Sequence, residues 1–117
     1  MNRGTIFLDI DGTLLEHQGS LTGIILYPSK VLPGVLRKLN QWEGEGFNIV
    51  LTTGRKESQR VLTERQLEQL GIFYDQLIMG IGGGPRYLIN DRHPSGKTMA
   101  HAFNIERNGG LSGVDLP

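Results

Sequence analysis

Hydrophobic positions along this chain fall into short blocks, set apart by glycine-rich and polar stretches. Ile6-Phe7-Leu8 is an unbroken apolar run, and Phe47-Asn48-Ile49-Val50-Leu51 is nearly one. Runs of this length without alternation predict strands buried in a parallel sheet. Between them Val35, Leu36, Leu39 and Trp42 recur at helical spacing, with Pro33 suited to a first turn and Gly44 and Gly46 beyond the end. That pattern predicts an amphipathic helix facing the sheet. A second helix is expected from Glu57 to Leu70, with Val61, Leu62, Leu67 and Leu70 inward and Gly71 as its stop. Leu77-Ile78-Met79 predicts a third strand, Tyr87-Leu88-Ile89 a fourth and Ala100 to Ile105 a fifth at the edge. Leu14 to Lys30 has no clean period and is broken by Gly19, Gly23 and Pro28, so it reads as a loop or small hairpin over the first strand's end. From Arg107 onward the glycine-rich sequence predicts a loosely held tail. Strand–helix alternation of this kind predicts an α/β fold with a mainly parallel central sheet.

Composition narrows the picture. The 117 residues suit one domain, 1–117, and 38% hydrophobic with 21% charged residues suits a folded globular chain. Twelve basic and twelve acidic residues leave no net field to recruit nucleic acid or an acidic membrane, so neither is expected as a partner. No cysteine is present, so a metal would be held mainly by oxygen. With no long apolar segment near the start, neither a signal peptide nor a membrane span is expected, and the cytoplasm is the default location.

Chemistry gathers at the predicted strand ends. The first strand ends in Asp9 and Asp11 followed by Gly12-Thr13, the second in Thr52-Thr53-Gly54-Arg55, and the fourth in Asn90-Asp91-Arg92. In a parallel sheet these ends share one edge, where open α/β sheets place ligands. Two carboxylates there can supply a nucleophile and an acid, or oxygens for a small hard cation such as magnesium. A hydroxyl and backbone N–H groups at Thr53-Gly54, ahead of a helix, suit phosphate oxygens. A cation such as Arg86 or Lys56 would offset the negative charge as a carboxylate approaches a phosphate dianion.

Phe7-Leu8-Asp9-Ile10-Asp11-Gly12-Thr13-Leu14 resembles the first motif of the haloacid dehalogenase-like (HAD) phosphohydrolase superfamily. Thr52-Thr53-Gly54-Arg55 resembles its second motif and Ile89-Asn90-Asp91-Arg92 its acidic fourth, in the same order, over residues 5–92. The resemblance implies a Rossmann-like three-layer sandwich and a magnesium-dependent phosphomonoester hydrolase working through an aspartyl-phosphate. Asp9 would be the nucleophile and a metal ligand. Asp11 would be the general acid and base, with its backbone carbonyl on the metal, and Thr53 would hold the transferring phosphoryl group. Asp91, with Asn90, would complete the Mg2+ shell, and Gly12, Thr13, Gly54, Arg55 and Lys56 would line the substrate. Asn90 stands where the family often has a second acid. The third-motif cation has no unmistakable match: Arg86 fits best, with Lys56 and Lys97 as rivals.

The gaps from Thr13 to Phe47 and from Gly54 to Leu77 are too short for a cap domain, so the chain resembles the small capless class. That class implies a sugar phosphate or related metabolite of polysaccharide biosynthesis as the small-molecule phosphomonoester. Its open site makes a homo-oligomer an expected way of closing it. Further contacts are sought in the Leu14–Lys30 arm with His17, the Gly80–Arg86 loop and Arg92-His93. Two other α/β readings fail. A dinucleotide fingerprint at Gly80-Ile81-Gly82-Gly83-Gly84 lacks its last glycine, with Pro85 there, and a receiver domain would need an acid where Met79-Gly80 stands. Two alternatives remain: a phosphotransferase or phosphomutase, which shares the covalent step and differs in what attacks the aspartyl-phosphate, and a non-catalytic phosphate/metabolite-binding or assembly module on the same fold.

Overall fold

A computed structural model describes residues 3–17 and 30–117. Strands β1 (Thr5–Asp9), β2 (Asn48–Thr52) and β3 (Gln76–Ile78) form one parallel sheet in that order. Helix α1 (Val35–Gly44) connects β1 to β2; a 3-10 turn (Glu57–Gln59) running into helix α2 (Arg60–Gln69) connects β2 to β3. The fold is α/β and Rossmann-like, with no cap domain among the described residues. Residues 18–29, most of the expected arm, lie outside those described. The arm's two ends pair as a hairpin would: Glu16 N–H donates to Lys30 O at 2.8 Å and Leu32 N–H to Leu14 O at 2.9 Å.

Register explains the layering. Phe7 lies beside Val50, Leu8 beside Leu51 and Asp9 beside Thr52, while Leu51 and Thr52 lie beside Leu77 and Ile78 on their other side. Partners in a parallel ladder share a face, so Leu8, Ile49, Leu51 and Leu77 lie on one side. That side is buried in a single core with Val35, Leu39 and Trp42 from α1 and Leu67 from α2. Each such side chain stabilises the fold by roughly 1.5–3 kcal/mol. The other face carries Phe7 and Ile78, 57% and 40% exposed. Alternate residues of β1 and β3 therefore meet different solvents, and the core is made on one side of the sheet.

Several expectations need correction. Leu36 of α1 is exposed, and only Val35, Leu39 and Trp42 of its stripe point inward. In α2 it is Thr63 and Leu67 that are buried, while Val61 and Leu62 face solvent. The expected strands at Tyr87–Ile89 and Ala100–Ile105 are absent, and Tyr87, Leu88 and Ile89 are exposed. A strand exists only through a neighbour, and none of the described strands pairs with either segment. The C-terminal residues, expected to be loosely held, are docked. Leu111 is buried, its N–H donates to Pro33 O at 2.8 Å, and Asp115 pairs with buried Lys38 at 3.3 Å. Gly110 makes this possible, since a side chain there would collide with Pro33 backbone and its φ of +82° already favours glycine.

Candidate functional site at the end of the first strand

The site is built on a tight reversal after β1. Ile10 is fully buried, and its carbonyl accepts from Thr13, Leu14 and Leu15 N–H groups at 3.2, 2.9 and 3.0 Å. Gly12, at φ +92°, lets the chain reverse there. This winding holds Asp9 and Asp11 at the carboxyl end of the sheet, with Thr13 half-buried between them and the core.

Asp11 does not stand open. Arg55 Nη2 donates to Asp11 Oδ1 at 2.7 Å and Arg55 Nε to Asp11 Oδ2 at 2.9 Å, a bidentate ion pair. Arg55 Nη1 donates to Gln66 Oε1 at 2.7 Å and to Thr63 Oγ1 at 3.2 Å. Arg55 had been expected to line the substrate; it is instead buried, with four of its five N–H groups committed to protein. The rotation of α2 that turns Thr63 inward is what supplies one of those acceptors.

The Thr53-Gly54-Arg55 turn is equally fixed. Buried Thr53 accepts the Arg55 N–H on its Oγ1 at 3.1 Å and sends its own N–H to Ile78 O at 3.0 Å. Gly54 packs directly under the glycine-rich loop: a side chain there would meet Gly82 O at 2.8 Å. The loop is tied down by Gly80 N–H to Arg55 O at 2.8 Å. Its far end curls so that Arg86 Nη1 and Nη2 donate to Gly84 O and Gly82 O, at 2.9 and 3.0 Å.

Asp9 sits in the middle of this. Burial by the surrounding loops pushes its carboxyl above the ordinary carboxylate range, and repulsion from Asp11 adds to the rise. A hydrogen bond from the Ile10 backbone and the charges of Arg86 and His17 act the other way. Of the three candidate cations, Arg86 is therefore the one whose charge acts on Asp9; Lys56 and Lys97 are exposed and do not.

Two neighbours of the site, Arg107 and Asn108, begin the segment expected to be a loosely held tail. Asn108, at φ +64°, donates its N–H to Gly12 O at 2.8 Å and accepts the His17 N–H on Oδ1 at 2.7 Å. Arg107 lies over Gly12, its Cγ 3.3 Å from where a side chain would begin. The only local signal was an asparagine ahead of two glycines, which suits a left-handed turn.

Asn90 and Asp91 are not brought to the site. Both are exposed, their close contacts are with each other at 3.2–3.4 Å, and Arg92 and His93 beside them close a small turn with Gly96 and Ser95. Among the described residues no three His, Cys, Asp or Glu are grouped to hold a metal ion. With Asp11 taken by Arg55 and no third acid or histidine grouped with Asp9 and Asp11 among the described residues, the donors expected for magnesium do not fit around one ion in this arrangement.

No family model and no curated protein matches the chain. Solved structures do. The chain is similar to a chain of the Pnkp1/Rnl/Hen1 complex, at 26% identity and TM-score 0.55 over 72% of its own length. A chain of the Pnkp1/Rnl/Hen1 RNA repair complex gives 27% identity and TM-score 0.53 over 65%. The chain spans 30% and 25% of those chains. The expectation of no nucleic-acid partner is overturned by this similarity to parts of an RNA repair complex. The reason is physical: balanced charge is a sum over the whole chain, whereas recognition of a phosphate depends on the few cations beside it. Among the described residues no helix is long and apolar enough to cross a membrane.

Proposed function

We propose that the chain is a phosphoryl-transfer enzyme, a phosphomonoester hydrolase whose nucleophile is Asp9. The observation that carries this is the placement of Asp9. It stands at the carboxyl end of β1, open to solvent, within the field of Arg86 and beside the turn that buried Thr53 begins. An Asp9 Oδ attacks phosphorus, the bond from phosphorus to the leaving oxygen breaks, and an aspartyl-phosphate forms; water then attacks phosphorus and restores the carboxylate. Arg86 balances charge on the phosphoryl oxygens, while backbone N–H groups near Gly54 are suited to them. Asp11 is the proton donor implied by the resemblance to the HAD superfamily. Both its oxygens accept from Arg55, so one oxygen must leave that pairing and take up a proton before Asp11 can protonate the leaving oxygen, and the attacking water then returns a proton to it. The similarity to chains of an RNA repair complex supports a phosphate at the end of a nucleic-acid strand as the substrate.

One observation favours a second reading, a phosphate-binding module without turnover: Asp11 is locked and Asn90-Asp91 stand apart. Phosphate release from 3′- and 5′-phosphorylated RNA, an aryl phosphate and sugar phosphates, with magnesium or EDTA, separates the two. Turnover on phosphorylated RNA that vanishes in Asp9→Asn is the expected result. Binding of phosphorylated RNA without release of phosphate by the wild-type chain would leave the module.

A further inference from the structure

The structure points to a second anion subsite at Arg107, which we propose holds the phosphodiester next to the terminal phosphate of a nucleic-acid strand. The inference rests on the phosphoryl-transfer reading and specifies where its substrate lies. Arg107 is placed by its neighbour. Asn108 is stapled to the Asp11–Thr13 turn by the bond to Gly12 O and by the His17 N–H on its own side chain. Its left-handed backbone turns the chain at that point, so residue 107 has a defined exit. Gly12 has no side chain, and the Arg107 stem occupies that space, with Cγ at 3.3 Å and Nε at 3.9 Å. A stem laid along a glycine leaves the guanidinium at the rim.

Among the described residues no carboxylate pairs with that guanidinium, in contrast to Arg55 and Arg60, which are both in ion pairs. An exposed guanidinium packed over Gly12, with no carboxylate partner among the described residues, suits bidentate capture of a phosphate. Arg107 lies over Gly12, whereas Arg86 is the guanidinium whose charge acts on Asp9, so the two cations suit different phosphates. Gly12 follows Asp9 by three residues, a span of at most about 11 Å, which is within reach of two neighbouring phosphates of one strand.

The test compares an RNA oligonucleotide ending in a phosphate with an aryl phosphate, which has no second anion. Arg107→Gln is expected to lower the ratio of kcat/KM for RNA over aryl phosphate by about 10-fold or more, the size of a charged hydrogen bond. The loss should lie in KM, and Arg107→Lys should restore part of it. Fluorescence anisotropy of the same RNA on the Asp9→Asn chain, with and without Arg107→Gln, reads the subsite even where turnover is absent. Weaker binding with a shallower salt dependence, by about 0.7 in the log–log slope, supports it. Equal losses on both substrates, or unchanged RNA binding, would overturn the subsite. Failure of turnover with an intact Arg107 effect on binding would instead remove only the catalytic reading.

Discussion

Two polar pairs, Asp9 with Asp11 and Asn90 with Asp91, belong to the expected constellation, and the fold treats them oppositely. Asp9 and Asp11 follow a strand whose other residues are locked in the sheet and the core, and the turn beyond them is wound onto a single carbonyl. Asn90 and Asp91 follow an equally apolar triplet, Tyr87-Leu88-Ile89, that pairs with nothing among the described strands and faces solvent. The difference lies in what surrounds the carboxylates. At the first pair burial and neighbouring charge perturb Asp9, and a buried guanidinium fixes Asp11. At the second, water surrounds both side chains. In the proposed reaction the first pair carries the chemistry, and the second is where its dependence on a metal would be decided.

The largest expected effect breaks the comparison at its centre. Asp9→Asn should abolish phosphate release from phosphorylated RNA, by on the order of a thousandfold or more, because the nucleophile has no substitute. Asp91→Asn on the same assay should cost far less than Asp9→Asn if the arrangement seen here is the working one. An equal loss, together with inhibition by EDTA, would show that Asp91 joins the first pair during turnover.

Stability sharpens the contrast next. Removing Arg55 leaves Asp11 without its partner in a largely buried pair, and Thr63 and Gln66 without their donor. Arg55→Ala should cost about 3–5 kcal/mol in urea unfolding. Asn90→Ala should change stability by less than about 0.5 kcal/mol, as expected for an exposed side chain. A cost of several kcal/mol at Asn90 would mean that this pair is buried in solution.

The docked C-terminal segment gives an intermediate effect. Leu111 is buried beneath Pro33, and Leu111→Ala should cost about 2–5 kcal/mol. It should also weaken phosphorylated-RNA binding, because the same segment carries Arg107 and Asn108 to Gly12. A cost below about 0.5 kcal/mol would return the segment to the loose tail that its glycines suggest.

These cases also show what a sequence can carry. The three strands, both helices and the strand-end positions of Asp9, Asp11 and Thr53 are legible because each is written within a few residues: an apolar run, a helical stripe, a polar end. The Arg55 clamp is not, because it depends on which face of α2 turns inward. Val61 and Leu62 are the better hydrophobes, yet Thr63 points in alongside the expected Leu67, and only then does Thr63 reach Arg55. Arg107 is hidden for a similar reason. Its place over Gly12 is set by contacts between residues more than ninety positions apart, and no local pattern encodes them. Tyr87-Leu88-Ile89 errs the other way: its composition suits a strand, but pairing is a property of two segments.

The smallest effect tests the environment of Asp9 without relying on turnover. Burial, with Asp11 adding to it, raises the Asp9 carboxyl above its ordinary value of 3.8. The folded chain therefore holds this proton more tightly than the unfolded one, and within the window between the two values folding takes up protons. Stability accordingly falls as pH rises through that window, and the full penalty is present above it. Asp9→Asn removes the penalty, so the variant should melt above the wild type at pH 7. That gain should shrink as pH falls through the raised value and vanish below 3.8. Because Asp9 keeps solvent access, the difference should stay below about 1 kcal/mol, readable as a small shift in Tm. A variant less stable than wild type at pH 7 would mean that the carboxylate is held by favourable contacts, and that the contrast with Asp91 lies in bonding and not in burial.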